Sequence, residues 1–187
     1  MKLKITKFKS VKSTNDEAIK LIRSGKLNQG LVSTELQTNG RGTMGKKWSS
    51  EKGNIFISIF FKVNLIKIKT EHYLIFNVKI IKKILHEYTK KIIKIKKPND
   101  LLIGGQKFCG ILQEVIYHNK ENYLITGIGI NTKISPYNKN FKCTSLEINA
   151  NKNFNNKIII SKIKNNYDKL IYDLNNHNSL YVKKKYK

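Results

Sequence analysis

Gly40-Arg41-Gly42-Thr43-Met44-Gly45-Lys46-Lys47-Trp48-Ser49-Ser50 is followed by Glu51-Lys52-Gly53 and then by the apolar run Asn54-Ile55-Phe56-Ile57-Ser58-Ile59-Phe60-Phe61-Lys62-Val63. The first six residues fit the dinucleotide fingerprint G-x-G-x-x-G, and with Lys46 they fit most of the phosphate loop G-x-x-x-x-G-K. Both motifs hold phosphate at the N-terminus of a helix that starts directly after the glycines. Here the loop leads through Trp48 into a run with the composition of a buried strand, and Lys47 stands where the phosphate loop needs Ser or Thr. Both readings are excluded on that context. Three glycines in six residues, with Arg41, Lys46, Lys47 and Trp48 around them, instead read as a mobile loop able to fold amides and cations about an anion.

Outward from this loop, Ile5 to Val11 and Gly30 to Leu36 read as strands. Between them Thr14 and Glu17 have the spacing of a capping box, and Ala18, Leu21 and Ile22 carry a helical face to Gly25. Downstream, Leu74, Val78, Ile81, Leu85 and Tyr88 recur at helical spacing. Strands follow at Ile92 to Lys96, Lys107 to Tyr117 and Tyr123 to Asn131, with turns at Pro98 to Asp100, Gly104-Gly105 and His118 to Asn122. Ile160, Ile163, Tyr167, Leu170, Ile171 and Leu174 mark a last amphipathic helix. Residues 179–187 read as a basic tail without a core pattern. The expected fold class is α+β, a mixed, largely antiparallel sheet with helices packed on it, forming one domain over residues 1–178.

The chain has 187 residues with a formal net charge of +25. That charge says little about partners. Thirty-five of the 37 basic residues are lysine, and Lys, Asn and Ile together make up 85 of the 187 residues. Nucleic-acid sites favour arginine for bidentate and stacked contacts, and only Arg23 and Arg41 are present. No apolar run reaches the roughly 18 residues of a membrane span, and the N-terminus lacks a signal-peptide core, so a cytoplasmic location is expected. Cys109 and Cys143 have no metal-ligand spacing and read as small core residues.

Three further segments carry candidate chemistry. On the strand ending at Asn131, side chains alternate, so Gly127, Gly129 and Asn131 share one face. The two glycines would leave bare backbone for a flat ligand, with the Asn131 amide at its edge, and Gly110 on the neighbouring strand would add to the patch. Lys96, at a strand end before Pro98-Asn99-Asp100, could place an ammonium in a site as a point charge. No nucleophile triad and no metal cluster is legible.

Taken together these segments resemble the catalytic domain of the biotin protein ligase (biotin-[acetyl-CoA-carboxylase] ligase) family. Ser13-Thr14-Asn15 matches its S-T-N, and Gln37 to Gly42 with Gly45 and Trp48 match its Q-x-x-G-R-G-R-x-G-R-x-W. Lys96 with Pro98-Asn99-Asp100 matches K-W-P-N-D, Lys107 to Glu114 matches K-x-x-G-I-L-x-E, Gly127 to Asn131 matches G-x-G-I-N, and Ser145-Leu146 matches the later S-L. The resemblance implies a class II aminoacyl-tRNA synthetase/biotin protein ligase-like fold. It implies activation of biotin by ATP, with Mg2+ on the phosphates, to biotinyl-5'-AMP, and transfer to a lysine of a biotin carboxyl carrier protein domain.

By the same resemblance Ser13, Thr14, Asn15, Gln37, Gly40, Arg41, Gly110, Gly127 and Gly129 would bind biotin. Arg41, Lys46, Trp48, Lys96 and Asn131 would bind the nucleotide, and Lys96 and Arg41 would act in catalysis. Three departures stand out: Thr43 replaces the second Arg of G-R-G-R, Lys97 replaces the Trp of K-W-P-N-D, and no C-terminal β-barrel follows residue 178. No winged helix precedes residue 5, so a monofunctional ligase that does not bind DNA is expected, with homodimerisation left open. The competing expectations are a lipoate or octanoate ligase of the same architecture, and a non-catalytic module that binds biotin or RNA.

Overall fold

A computed structural model describes residues 2–139 and 141–186. The order of elements is β1 (Lys4–Val11), α1 (Thr14–Arg23), β2 (Gly30–Gln37), β3 (Ile55–Val63), α2 (Thr70–His86), β4 (Ile93–Lys96), β5 (Asp100–Ile103), β6 (Gln106–His118), β7 (Glu121–Ile130), α3 (Leu146–Ala150), α4 (Asn156–Asn176) and α5 (Ser179–Tyr186). The seven strands form one sheet in the order β1-β2-β3-β7-β6-β5-β4. Only β1 and β2 pair in parallel, with α1 as their crossover; the other pairs are antiparallel. This is the α+β sheet that the element pattern predicts. Among the described residues no helix is long and apolar enough to cross a membrane.

The apolar run of β3 is continuous because both faces of this central strand are covered. Ile55, Ile57, Ile59 and Phe61 join the larger core with Ile81 of α2 and Ile163, Tyr167 and Leu170 of α4. Phe60, on the other face, packs with Ala18 and Ile22 of α1 and with Val32 and Ile125. Ser58, the polar residue that interrupts the run, is fully buried on the α1 side, and its hydroxyl meets Thr14 and Asn15 at the start of that helix. Gly104 and Gly105, at φ 57° and 78°, make the two-residue turn between β5 and β6, a backbone that other residues adopt only with strain.

Two expectations change here. The capping box is not formed: Ser13 occupies the N-cap without a side-chain cap bond, and the Thr14 hydroxyl is drawn off to Gln37 on β2. The C-terminal segment is α5 rather than a tail without a core pattern. Its Val182 is fully buried, and Asp173 of α4, 4% exposed, receives the Tyr186 hydroxyl at 2.7 Å and the Lys185 ammonium at 2.7 Å. One buried apolar residue in eight is too sparse to show helical periodicity. Lys187, the last residue of the expected tail, lies outside the described residues, as does Met1.

Burial works against the Asp173 charge, but the Lys185 and Tyr186 bonds outweigh it and hold its pKa below the ordinary aspartate value. Its contribution to stability is therefore full above the unfolded-state pKa and is lost as pH falls through the lowered folded value. Asp173→Asn should cost about 2 kcal/mol at neutral pH, read by urea denaturation, and the mutant should lose less stability than the parent on strong acidification.

Candidate active site

The face of the sheet that carries α1 forms a cleft beside the glycine loop. It is lined by Ser13, Thr14, Asn15, Gln37, Arg41, Trp48, Asn99, Asp100, Lys107, Gly110, Gly127 and Gly129, among others. Its inner wall is a polar network anchored on Ser58. The Ser58 hydroxyl lies 2.7 Å from Thr14 Oγ1 and 2.5 Å from Asn15 Oδ1. Gln37 Oε1 accepts from the Thr14 amide at 2.9 Å and from its hydroxyl at 3.1 Å, while Gln37 Nε2 donates to Ser50. Asn15 Nδ2 donates to Glu114 Oε2 at 2.6 Å. Glu114 also takes Arg41 as a two-pronged pair, at 2.7 and 2.8 Å, and Asp16 takes the same guanidinium at 2.8 Å. Burial opposes the Arg41 charge, yet these carboxylates outweigh it and raise its pKa above the ordinary arginine value. The Ser13 hydroxyl is left without a hydrogen bond to the described residues.

The glycine loop is a compact hairpin. Arg41 and Lys47 bridge across it, Gly42 N donates to Lys46 O at 2.7 Å, and Trp48 N donates to Gly40 O at 2.9 Å. This turns Trp48 inward over β6 and β7. A Cβ on Gly110 would stand 2.6 Å from Trp48 Cζ3, and one on Gly129 would stand 2.6 Å from Cζ2; a Cβ on Gly127 would run into the Asn15 amide. The glycine patch is thus covered by Trp48 and Asn15, where the alternation alone suggests bare backbone. The cleft in this state has about 50 Å3 of free space, room for a few water molecules. Gly40 lies outside the lining. It is glycine because Trp48 O and Ser50 Oγ press on its Cα, 2.6 and 2.9 Å from where a Cβ would sit.

A second compartment lies on the far side of Trp48, lined by Lys46, Lys47, Trp48, Lys107, Asn131, Pro136, Phe141 and Cys143, among others. Asn131 is buried, and its Nδ2 donates to Thr144 O at 3.2 Å while its Oδ1 finds no partner. Trp48 Nε1 is likewise buried and unpaired. Burial raises the Cys143 thiol pKa, with Lys107 offsetting part of the shift. Cys109 is a buried core residue, as expected.

Lys96 requires correction. It is exposed at the end of edge strand β4 and lines neither compartment. The lysine at the centre is Lys107, which lines both. Its ammonium is 2.7 Å from Asp100 Oδ1 and 5.2 Å from the centroids of both the Trp48 and Phe141 rings. Strict alternation would put Lys107 and Gly110 on opposite faces. The register of β5 against β6 shifts between Leu101 and Leu102, which pair with Cys109 and Lys107 and leave Phe108 as an extra residue. That bulge brings Lys107 round to the cleft. Lys107 and Glu114 both stand in the K-x-x-G-I-L-x-E match, which assigns neither a role in the site, and Ser58 falls in none of the matched motifs. No three His, Cys, Asp or Glu side chains group as a metal site among the described residues.

Residues 7–131, which span both compartments' strands, match the model of the biotin/lipoate A/B protein ligase family. The chain belongs to this family. The bifunctional ligase/repressor BirA of Bacillus subtilis is 32% identical over 126 residues, covering 66% of this chain and 39% of that protein. BirA of Escherichia coli is 29% identical over 114 residues, 59% of this chain and 36% of that protein. The match thus spans about two fifths of the length of these curated relatives. Among solved structures, a biotin protein ligase from Aquifex aeolicus in complex with biotin and ATP superimposes with a TM-score of 0.72 at 25% identity, covering 87% of this chain and 67% of that one. A biotin protein ligase from Leishmania major in complex with biotinyl-5-AMP gives 0.77 at 22% identity, over 98% and 79%. The fold is that of the biotin protein ligase catalytic domain.

Proposed function

We propose that the protein is a biotin protein ligase, which joins biotin to ATP as biotinyl-5'-AMP and passes the biotinyl group to a lysine of a biotin carboxyl carrier domain. The observation that carries this reading is the arrangement of two compartments on either side of Trp48, with one ammonium, that of Lys107, reaching both. In the first step a carboxylate oxygen attacks the α-phosphorus and pyrophosphate leaves. In the second a lysine amine attacks the acyl carbon and AMP leaves.

The acid belongs in the compartment walled by Ser13, Thr14, Asn15 and Gln37, whose free Ser13 hydroxyl and Gln37 amide suit a ureido group. The nucleotide belongs beyond Trp48, where the unpaired Asn131 Oδ1 suits an amino group. Both reactants are anions, so the barrier to the first step is largely electrostatic and positional, and a fixed cation between them lowers it. Lys107 takes this role in place of Lys96. Magnesium, carried on the triphosphate, would neutralise phosphate charge at the seam where Asp100 stands. A bicyclic acid is too large for the space present beside Trp48, so binding requires the indole to swing out and close again over the ligand, which also keeps water from the anhydride.

The test is incubation with biotin, MgATP and a carrier domain, with the carrier weighed intact by mass spectrometry. One biotinyl group on its acceptor lysine is expected. An unmodified carrier, or modification with lipoate or octanoate in place of biotin, would overturn the assignment.

A further inference from the structure

Arg41 has no fork to spare for a substrate anion. Three of its five N–H donors go to carboxylates, in bonds of 2.7 to 2.8 Å that engage both terminal nitrogens, and Nε is buried and unpaired. Two carboxylates against one guanidinium also leave this corner net negative. Glu114 is the common member. Its Oε2 accepts from both Asn15 Nδ2 and Arg41 Nη2, so one carboxylate joins the start of α1, through Asn15 and Ser58, to the root of the glycine loop. Arg41 in turn closes that loop against Lys47, which fixes where Trp48 enters the cleft.

We propose that Glu114 is a positioning residue that couples the acid-binding wall to the loop, acting through Asn15 and Arg41 and not on the reacting atoms. The proposal rests on the ligase reading for its kinetic consequence, and on geometry alone for its effect on the loop. Glu114→Gln keeps a carbonyl oxygen for Asn15 and removes the charged two-pronged grip on Arg41. Asp16→Asn, at a more exposed site, loosens the same guanidinium from the other side with little risk to folding.

The loop effect is read without ligand, by limited trypsinolysis after Arg41, Lys46 and Lys47 in the full chain. Glu114→Gln should raise the cleavage rate there about tenfold, because cleavage tracks the open population of the loop. Asp16→Asn should give a smaller rise. The kinetic effect is read by carrier biotinylation: KM for biotin should rise about tenfold with kcat nearly unchanged, since what is lost is uniform binding. A role confined to stability would lower the active fraction, hence kcat, and leave KM alone. In an Arg41→Gln background, Glu114→Gln should add nothing further. Unchanged trypsinolysis in both variants overturns the coupling even if the parent protein proves inactive. Additive effects with Arg41→Gln, or a fall in kcat alone in a protein that biotinylates its carrier, overturn it too.

Discussion

Replacing Lys107 by alanine should slow formation of biotinyl-adenylate by about 10²- to 10³-fold, the usual loss when a fixed charge-stabilising group is removed from an enclosed site. Lys107 is the ammonium common to both compartments, its charge is held in place by Asp100 at 2.7 Å, and two aromatic rings flank it. Pyrophosphate release with biotin and MgATP measures the step directly. Lys96→Ala, at the exposed sheet edge, is the matched control and should stay within about twofold of the parent, as surface changes away from a site do. Asp100 is left without its partner in Lys107→Ala, so a modest loss of stability accompanies the mutation, and the rate comparison should be made on folded protein.

Gly129→Val should reduce biotin affinity by about 100-fold or more. The position lies within β7 with ordinary strand pairing to Phe56 and Gly110, so valine suits its backbone. Its Cβ, however, would sit 2.6 Å from Trp48 Cζ2, and the indole must leave. Both the surface against which the acid would lie and the wall that covers it are then lost. Trp48 is the only tryptophan in the chain, so a red shift of intrinsic fluorescence should report its displacement in the absence of ligand. Calorimetric titration with biotin reads the affinity. Gly129→Ala should lie between parent and valine in both measurements.

Six of the seven strands are legible because turn residues bound them and because β3 is too apolar over nine residues to face water on either side; the four-residue β5 lies between the turns at Pro98 to Asp100 and Gly104-Gly105 and is too short to stand out. Helices α2 and α4 announced themselves by spacing. Of the candidate residues, Gly110, Gly127 and Gly129 meet Ser13, Thr14, Asn15, Gln37, Arg41 and Trp48 around one cleft, whereas Gly40 and Lys96 do not line it. What period-two alternation could not show was the bulge at Phe108, and with it which of two lysines faces the cleft. Nor could a pattern of glycines show what fills the space they leave. A bare strand face is an invitation to any neighbouring side chain, and here Trp48 and Asn15 accept it. Polar couplings across the sequence were equally hidden. Glu114 and Arg41 are 73 residues apart, and Ser58 looks only like a flaw in a hydrophobic strand until the fold sets it against Thr14 and Asn15.

The most direct measurement is a crystal structure of the protein with biotin and a non-hydrolysable ATP analogue. The biotin ring should lie against Gly127 and Gly129 beside Ser13 and Gln37, the base should sit across Trp48 near Asn131, and the carboxylate and α-phosphate should both fall within hydrogen-bonding reach of Lys107 Nζ. Either ligand bound away from these compartments, or a carboxylate and α-phosphate that meet out of reach of Lys107, would contradict the account.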